Sequence, residues 1–290
     1  MKPAAFDYYK PETLDEALSL LDEFGYDAKV LAGGQSLIPM MNMRLARPPV
    51  LIDINGVQGM TGIEVGESEI VIGGLTRHYM VEHSPEIQNS CPMLAEGIKL
   101  IGHSQIRSRG TIGGSIVHAD PTAELPVMLT ALGGKVTVVS SGDERELTPE
   151  ELFLTYMTTT IEPNEIVKSV HFPVIAERTG HAIEEFTLRS GDFAIIIAAA
   201  SVTLDEEGLI ESAALCIGGV DGIPVKLEDV TDELIGEAPS EELFAEKCAQ
   251  IVDLVDPEKD IHASAEYRKD LCVALSRRVL KKAADRAKQA

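Results

Sequence analysis

The chain has 290 residues, of which 44% are hydrophobic and 25% charged, a composition typical of a soluble globular protein with two or three small domains. It contains 25 basic and 47 acidic residues, so its formal net charge is -22 at pH 7. A protein this acidic repels phosphate backbones, which argues against nucleic acid as a partner.

The sequence indicates neither secretion nor a membrane span. Its first residues lack the apolar core of a signal peptide. The longest apolar run, at residues 193–202, is shorter than the roughly 20 residues that cross a bilayer. We therefore expect a cytoplasmic protein.

Cysteine is sparse, and no two cysteines have the short spacing that zinc or iron–sulfur sites use. We expect no metal site in this chain, so that any metal cluster would belong to another chain. The four cysteines are expected to be buried free thiols: Cys91, Cys216, Cys248 and Cys272.

Residues 1–55 are predicted to form an N-terminal α/β unit. Thr13 and Glu16 have the spacing of a capping box, and apolar residues at helical spacing follow as far as Gly25, which suits a C-terminal cap. The rest of the unit is predicted as a strand at 29–32, a short helix from Ser36 and a strand at 50–54.

Residues 56–176 and 177–290 are predicted to form a second and a third domain. In the second domain we expect a hairpin at 63–65 and 69–74, helices near 76–83, 91–101 and 123–132, and strands at 135–140 and 166–172. In the third domain we expect strands at 181–188, 194–204 and 210–218, then two helices capped by Ser240 and Ser264. The predicted fold class is α+β.

Two glycine-rich segments are the most informative features, with the sequences AGGQS at residues 32–36 and TIGGS at residues 111–115. Glycine lets the main chain approach a ligand closely, and successive N–H groups in such turns form concave anion sites. Two such turns could hold one pyrophosphate from two sides, which predicts a dinucleotide between two subdomains. Neither is a G-x-G-x-x-G fingerprint, and glycine pairs also serve as ordinary turns, so that alternative stays open.

Polar side chains near both segments suit a phosphate ligand. Ser36 and Thr111 offer hydroxyl groups, and the positive end of the helix predicted from Ser36 would add to the attraction. Arg107 and Arg109 precede the second segment and could offset phosphate charge. The two segments and their neighbours therefore form the candidate site.

A carboxylate follows the second segment. Asp120 could accept hydrogen bonds from ribose or ribityl hydroxyls. It could equally cap a following helix that has Pro121 at its first position, and both roles could hold together.

Seven short motifs occur in order along nearly the whole chain: AGGQSL at 32–37, IR at 106–107, TIGGS at 111–115, HADP at 118–121, RSGDFA at 189–194, GGV at 218–220 and SAEYR at 264–268. Together they resemble the FAD-binding medium subunit of the molybdenum hydroxylases, which include aerobic carbon monoxide dehydrogenase and the xanthine dehydrogenase family. The resemblance implies an FAD-binding fold of two α/β subdomains with the cofactor between them. A C-terminal domain of an antiparallel sheet and helices would follow.

The resemblance also implies which residues contact FAD. Ile161 matches a position that packs on the cofactor, and Phe193 matches an aromatic residue at the flavin ring, on a loop that can gate access. His118 has no partner serine, cysteine or metal, so a structural or flavin-edge role is favoured and no catalytic residue is assigned. The predicted cofactor contacts are Leu31, Ala32, Gly33, Gly34, Gln35, Ser36, Leu37, Arg107, Thr111, Gly113, Gly114, Ser115, His118, Asp120, Ile161, Arg189 and Phe193.

Two positions depart from the family pattern. Ser115 stands where the family often has asparagine, which replaces an amide contact by a hydroxyl. Glu184 and Glu185 occupy a region in which the family often has lysine, so Arg189 would have to supply the cationic contact that this lysine makes.

The resemblance implies an oxidoreductase assembled from several chains. A large subunit would hold the molybdenum cofactor and a small subunit two [2Fe–2S] clusters, in a heterotrimer or its dimer. Electrons would pass through the clusters to FAD and then to an external acceptor. Two alternatives remain: a self-contained FAD-dependent oxidase or reductase of the same fold, and a non-catalytic assembly protein. No residue here selects the substrate or the acceptor, which could be NAD, a quinone or oxygen.

Overall fold

The N-terminal part of the chain builds a three-stranded parallel sheet. In the computed structural model, which describes residues 1–290, the strands are β1 (Asp7–Tyr9), β2 (Ala28–Leu31) and β3 (Val50–Asp53). Strand β3 lies in the middle and pairs in parallel with both others. Because parallel strands end at the same edge of a sheet, the segments that follow β2 and β3 become neighbours.

Two helices complete this unit. Helix α1 (Leu14–Phe24) begins at the predicted capping box and buries an apolar face that includes Leu18 and Leu21. Helix α2 (Leu37–Asn42) follows the first glycine segment, and it is only six residues long. Its N-terminal end therefore contributes less to an anion site than a longer helix would.

The second unit contains a five-stranded antiparallel sheet in the order β4-β5-β10-β6-β7. Its strands are β4 (Ile63–Val65), β5 (Glu69–Gly73), β6 (Lys135–Ser140), β7 (Asp143–Leu147) and β10 (Ile166–Pro173). A separate hairpin joins β8 (Phe153–Thr155) to β9 (Thr158–Thr159). The strands predicted at 135–140 and 166–172 are confirmed.

The second unit also contains seven helices. They are α3 (His78–Glu82), α4 (Pro85–Ser90), α5 (Pro92–Gly97), α6 (Ser104–Arg107), α7 (Ile112–His118), α8 (Glu124–Ala131) and α9 (Pro149–Leu152). The helix predicted over 91–101 is shorter, because it ends at Gly97.

The third unit packs a long helix on an antiparallel sheet. The strands are β11 (Thr179–Phe186), β12 (Ile196–Leu204), β13 (Ile210–Gly218) and β14 (Val225–Lys226), in that spatial order. The helices are α10 (Glu228–Asp232), α11 (Glu241–Cys248), α12 (Ile251–Leu254) and α13 (Ala265–Ala287). The predicted caps Ser240 and Ser264 are confirmed, but the helix after Ser240 is broken after Cys248.

The second and third units are joined by ion pairs and apolar packing. Arg286 on α13 makes two hydrogen bonds to Glu96 on α5, at 2.7 and 3.1 Å. All four cysteines are buried and free, as the sequence predicts. None of the helices combines the length and the apolarity needed to cross a membrane.

Candidate functional site

The first glycine segment presents a row of main-chain donors. Gly34 has a φ of +72°, a conformation that glycine adopts without strain. The N–H groups of the four residues 33–36 donate to no acceptor within the chain, and Gln35 bonds only through its side chain, to Gly33 O at 3.0 Å. Ser36 makes no side-chain cap bond, so its hydroxyl is also available. Such a turn is suited to an anion.

The second glycine segment is built differently, because α7 begins inside it. The N–H groups of residues 112–115 donate in turn to Thr76 O, Gly74 O, Thr111 Oγ1 and Thr111 O, at 3.0, 2.9, 3.2 and 3.0 Å. The prediction that this segment exposes main-chain donors is therefore wrong. Thr111 caps the helix and residues 74–76 accept the remaining bonds, so this segment can offer a ligand mainly its side chains.

The two segments touch. A Cβ atom at Gly33 would lie 2.5 Å from Arg109 O and 2.8 Å from Gly110 Cα, so only glycine fits. On the other side, a Cβ atom at Gly114 would lie 3.7 Å from the Cβ of Ala32. The structure thus brings together two segments that lie far apart in sequence.

One amide–guanidinium pair holds both segments. Asn55 Nδ2 donates to Ala32 O at 2.7 Å, at the start of the first segment. Arg77 Nη2 donates to Asn55 Oδ1 at 2.6 Å, and Arg77 Nη1 donates to Arg109 O, just before the second segment. We call Asn55 and Arg77 the clamp pair.

A carboxylate orients the clamp pair. Asp53 Oδ1 accepts from Asn55 Nδ2 at 2.6 Å, and Tyr8 donates to Asp53 Oδ2 at 2.5 Å. Burial acts to raise the pKa of Asp53, but the hydrogen bonds from Tyr8 and Asn55 outweigh it and lower the pKa. Asp53 is therefore ionised at neutral pH, and its charge faces Arg77.

His78 holds the start of the second segment through two hydrogen bonds. Its main-chain N–H donates to Gly110 O at 3.0 Å, and its Nε2 lies 3.0 Å from Thr111 O. Its Nδ1 is buried and has no partner. Burial lowers the pKa of His78 to about 4, and the nearby charges of Arg107 and Arg77 act in the same direction. His78 is therefore neutral at pH 7 and donates from Nε2.

Arg107 lies near the second segment but is bound to protein groups. Its Nε donates to Glu82 at 2.8 Å, and its Nη1 donates to Ile101 O and Gly102 O at 3.2 and 3.1 Å. The guanidinium thereby fastens the turn that precedes α6. Its contact with a cofactor stays a prediction.

Asp120 is buried after α7 and closes a local turn. Its Oδ1 accepts from the N–H and the hydroxyl of Thr122, at 2.9 and 2.7 Å. The next helix begins at Glu124 with Ala123 as its N-cap, so the alternative in which Asp120 caps a helix starting at Pro121 is wrong. Asp120 accepts hydrogen bonds within its local turn instead of capping a helix.

Glu124 lies close to two further carboxyl groups, those of Asp120 and Glu185. Burial raises the pKa of Glu124 to about 8, and the charges of Glu185 and Asp120 act in the same direction. Burial raises the pKa of Glu185 to about 7, and its Oε2 has no hydrogen-bond partner. Glu124 is therefore mostly protonated at neutral pH, and Glu185 is partly protonated.

Several predicted contacts surround the C-terminal end of α7. Ser115 and His118 are half-buried on this helix. Met157 donates its N–H to Ala119 O at 3.1 Å, which brings the hairpin of β8 and β9 next to the helix end. Ile161 follows that hairpin and packs, half-buried, on the apolar core that the second and third units share.

Arg189 and Phe193 lie on the loop between β11 and β12, residues 187–195, which we call the aromatic loop. Arg189 is exposed, and Phe193 is 71% exposed. Gly191 has a φ of +82° and packs against the imidazole of His103, the residue before α6. The aromatic loop thus reaches from the third unit to the part of the second unit that leads into the second glycine segment.

The sequence interpretation missed the clamp pair and His78. Asn55 had one usable signal, because it follows β3 and so lies at the same sheet edge as the first segment. No local sequence pattern indicates the roles of Arg77 and His78, because their partners Arg109 and Thr111 are 32 and 33 residues further along the chain.

Comparisons with known proteins agree with this architecture. Residues 4–175 match the family described as "FAD binding domain in molybdopterin dehydrogenase", and residues 181–283 match "CO dehydrogenase flavoprotein C-terminal domain". Two similar proteins are the 6-hydroxypseudooxynicotine dehydrogenase complex subunit alpha of Paenarthrobacter nicotinovorans (40% identity, 99% of this chain and 97% of that protein) and the caffeine dehydrogenase subunit beta of Pseudomonas sp. strain CBB1 (34% identity, 99% and 97%). Among solved structures, a chain of carbon monoxide dehydrogenase from Hydrogenophaga pseudoflava superimposes with a TM-score of 0.95 at 32% identity, over 99% of each chain.

Proposed function

This chain belongs to the family of FAD-binding medium subunits of the molybdenum hydroxylases, and from that membership we propose that its first glycine segment, residues 32–36, holds the diphosphate of FAD. The chain is accordingly a subunit of an FAD-dependent oxidoreductase of the carbon monoxide and xanthine dehydrogenase type.

One observation carries the assignment of the diphosphate: the N–H groups of residues 33–36 have no acceptor in the chain. The chain as a whole has a net charge of -22, so an anionic ligand must be attracted by local groups rather than by the overall field. Successive main-chain donors provide such an attraction at short range. Gly33 and Gly34 fit the role because a side chain at either position would strain the turn or strike Arg109.

The remaining contacts are proposed from the same membership. Because the N–H groups of residues 112–115 are already bonded, we propose that Ser115 acts through its hydroxyl and that Gly113 and Gly114 act through close approach. Asp120 keeps lone pairs beyond those used by Thr122, which suits ribityl hydroxyls. Ile161 and Phe193 would pack on the cofactor.

We propose the division into three domains at 1–55, 56–176 and 177–290, with FAD between the first two. The contact between Gly33 and residues 109–111 supports this arrangement, because it joins those two domains at the proposed site. The aromatic loop would add the third domain to the edge of the same cleft.

When bound, FAD supplies the redox chemistry that links the [2Fe–2S] clusters of a small partner subunit to an external acceptor. We propose that a large partner subunit carries the molybdenum cofactor and that two heterotrimers form a dimer. Relatives that are named as one subunit of a dehydrogenase support the need for partners. The part of this chain is to bind FAD and to orient it.

FAD titration of the purified full-length chain tests the proposal. We expect binding at micromolar or lower concentrations, and release of all the flavin on acid precipitation, because no residue is assigned to a covalent bond. A chain that is folded by circular dichroism but does not bind FAD at micromolar concentrations would contradict the proposal. Binding to large and small subunits without FAD would instead indicate an assembly protein, and turnover of an organic substrate by this chain alone would indicate a self-contained oxidase.

A further inference from the structure

Three motifs of the third unit meet around one carbonyl oxygen, that of Ile195. Arg268 Nη1 donates to Ile195 O at 2.6 Å and to Gly219 O at 3.1 Å. Gly219 has a φ of +88°, and a Cβ atom there would collide with Ile195 O. The sequence motifs at 189–194, 218–220 and 264–268 therefore converge on the end of the aromatic loop.

Arg268 is itself held rigidly. It is only 7% exposed, and its Nη2 donates to Asp260 at 2.7 Å. Asp260 in turn accepts from the N–H groups of His262 and Ala263, at 2.8 and 2.9 Å. Burying a guanidinium is costly unless it is paired, and here its partners are one carboxylate and two carbonyls at fixed places. The side chain thus connects the start of α13 to the loop rather than filling space.

The other end of the aromatic loop rests on the same turn of α13. Ile195 donates its N–H to Phe186 O at 2.8 Å, which closes the loop. The ring of Phe186 meets the ring of Tyr267 edge to face, with centroids 5.9 Å apart. Tyr267 and Arg268 are consecutive residues, so one helical turn contacts both ends of the loop.

The tip of the loop is held much less firmly. Its one internal main-chain hydrogen bond runs from Asp192 to Arg189 O at 3.1 Å, and Gly191 touches His103. Leu188 and Phe193 are 58% and 71% exposed. The position of Phe193 is therefore set mainly by the ends of the loop.

We propose that Arg268 is a positioning residue that fixes the aromatic loop, and with it the place of Phe193 beside the cleft. Its effect on flavin rests on the proposed FAD site, whereas the anchoring of the loop does not. Arg268 touches no cofactor contact directly, since it acts through the carbonyl oxygens of Ile195 and Gly219.

A single fluorophore can report on this loop, because the chain contains no tryptophan. Phe193→Trp places an indole on the loop, and Arg268→Gln in the same chain removes the anchor. The matched control is Arg286→Gln, which removes an arginine of the same helix that also binds a carboxylate and a carbonyl, those of Glu96 and His181. Indole quenching by acrylamide and by FAD, and hydrogen exchange of residues 187–195, are measured in the full-length chains.

With Arg268→Gln we expect at least tenfold faster amide exchange in the aromatic loop, about twice the acrylamide quenching constant, and less than half of the FAD-induced quenching. With Arg286→Gln we expect a lower melting temperature and no change at the loop. Loop exchange in Arg268→Gln equal to that of the parent would overturn the proposal.

Two measurements keep the test decisive. If Arg268→Gln does not fold, Arg268→Lys replaces it, because an ammonium cannot reach both carbonyls and Asp260 in the same fork geometry. Unchanged loop exchange in that variant would also overturn the anchor. If the parent chain binds no FAD, the proposed function fails, but the exchange experiment on the FAD-free chain still decides the role of Arg268.

Discussion

The two glycine segments share a glycine pair and a final serine, but their main-chain N–H groups are used in opposite ways. In residues 32–36 the donors of four successive residues have no acceptor, whereas every donor of residues 112–115 is bonded within the chain. Gly34 is needed for a left-handed turn, but Gly113 is needed because a Cβ atom there would lie 2.8 Å from Gly74 O. We call residues 32–36 the cradle, because their donors are open to a ligand. We call residues 111–115 the wall, because their donors are bonded within the chain and the cradle packs against them.

The comparison shows that a glycine pair does not define a binding site by itself. What distinguishes the two segments is the number of acceptors that the rest of the fold brings within reach. Residues 74–76 supply two acceptors to the second segment and Thr111 supplies the other two, whereas nothing supplies an acceptor to the donors of residues 33–36. Variants that act on one segment at a time can therefore measure how much each contributes to FAD affinity.

The largest effect is expected at Gly33. In Gly33→Ala the new methyl group would lie 2.5 Å from Arg109 O, a main-chain atom that cannot move alone, so the two segments must separate. We expect the dissociation constant for FAD to rise at least about 100-fold, or roughly 2.7 kcal/mol. Flavin fluorescence titration measures it.

Gly114→Ala is the matched control for the second segment. Its methyl group would lie 2.6 Å from Thr111 Oγ1, a side-chain atom that can rotate away. We expect a loss of affinity below about tenfold, which corresponds to 1.4 kcal/mol. Equal losses in the two variants would remove the distinction between cradle and wall.

A second large effect, on stability rather than on affinity, concerns the wall alone and depends on pH. The pKa of His78 is lowered to about 4 in the folded chain from an ordinary value of 6.5, so the unfolded chain binds its proton first as the pH falls. The neutral imidazole of His78 therefore contributes its full stabilisation to the folded chain above pH 6.5. This contribution is lost progressively as the pH falls from 6.5 to 4. The loss amounts to about 1.4 kcal/mol per pH unit and about 3 kcal/mol in total.

His78→Gln isolates this effect, because its amide keeps a donor near Thr111 O and does not titrate. The quantity to compare is the free energy of unfolding of the two chains at each pH, by urea denaturation. The raised pKa values of Glu124 and Glu185 act in the opposite sense. Their protonated carboxyl groups favour the folded chain at low pH, and this contribution is lost as the pH rises towards about 8 for Glu124 and about 7 for Glu185. They affect both chains equally. A difference that stays constant between pH 7 and pH 4 would refute the assignment of a neutral His78.

The clamp pair joins cradle and wall, and its removal is expected to have an intermediate effect. In Arg77→Ala, Asn55 loses its donor and Arg109 O loses its partner, so the segments are less well ordered before FAD binds. We expect the dissociation constant to rise about tenfold, or 1.4 kcal/mol. Arg47→Ala, which removes an arginine that bonds only to the nearby Arg44 O, should leave affinity unchanged.

A double-mutant cycle checks that Asn55 and Arg77 act together. If they form one connection, the Asn55→Ala and Arg77→Ala double variant should lose little more affinity than either single variant. Fully additive losses would mean that each residue holds its own segment and that no clamp exists.

Local sequence signals predicted the parts of this fold that depend on neighbouring residues. The capping box at Thr13 and the caps at Ser240 and Ser264 correctly gave the starts of three helices. The predicted strands agree with β6, β10 and β13 to within a residue or so. These signals are local because a cap or an alternating strand is specified within a few residues.

The parts that were missed depend on contacts between distant residues. Two of the four bonded donors of the second segment could not be foreseen, because their acceptors on Gly74 and Thr76 lie 36 to 39 residues earlier. The roles of Arg77 and Arg268 were hidden for the same reason, since each binds carbonyl oxygens that any residue could supply. Carbonyl acceptors leave no trace in a sequence, whereas the family motifs identify segments without showing how their main chain is bonded.

The smallest effects are expected from two hydroxyl groups, one in each segment. Thr111 is buried and its hydroxyl already accepts from Gly114, so Thr111→Val should cost about 1 kcal/mol of stability through the lost cap and change FAD affinity less than threefold. The hydroxyl of Ser36 makes no bond in the chain, so Ser36→Ala should leave the melting temperature unchanged and weaken FAD binding a few-fold. Thermal melts and FAD titrations of the two variants, side by side, separate stability from affinity. A tenfold loss of affinity in Thr111→Val, with Ser36→Ala unchanged, would reverse the roles of cradle and wall, because the phosphate would then be held by the segment whose donors are already bonded.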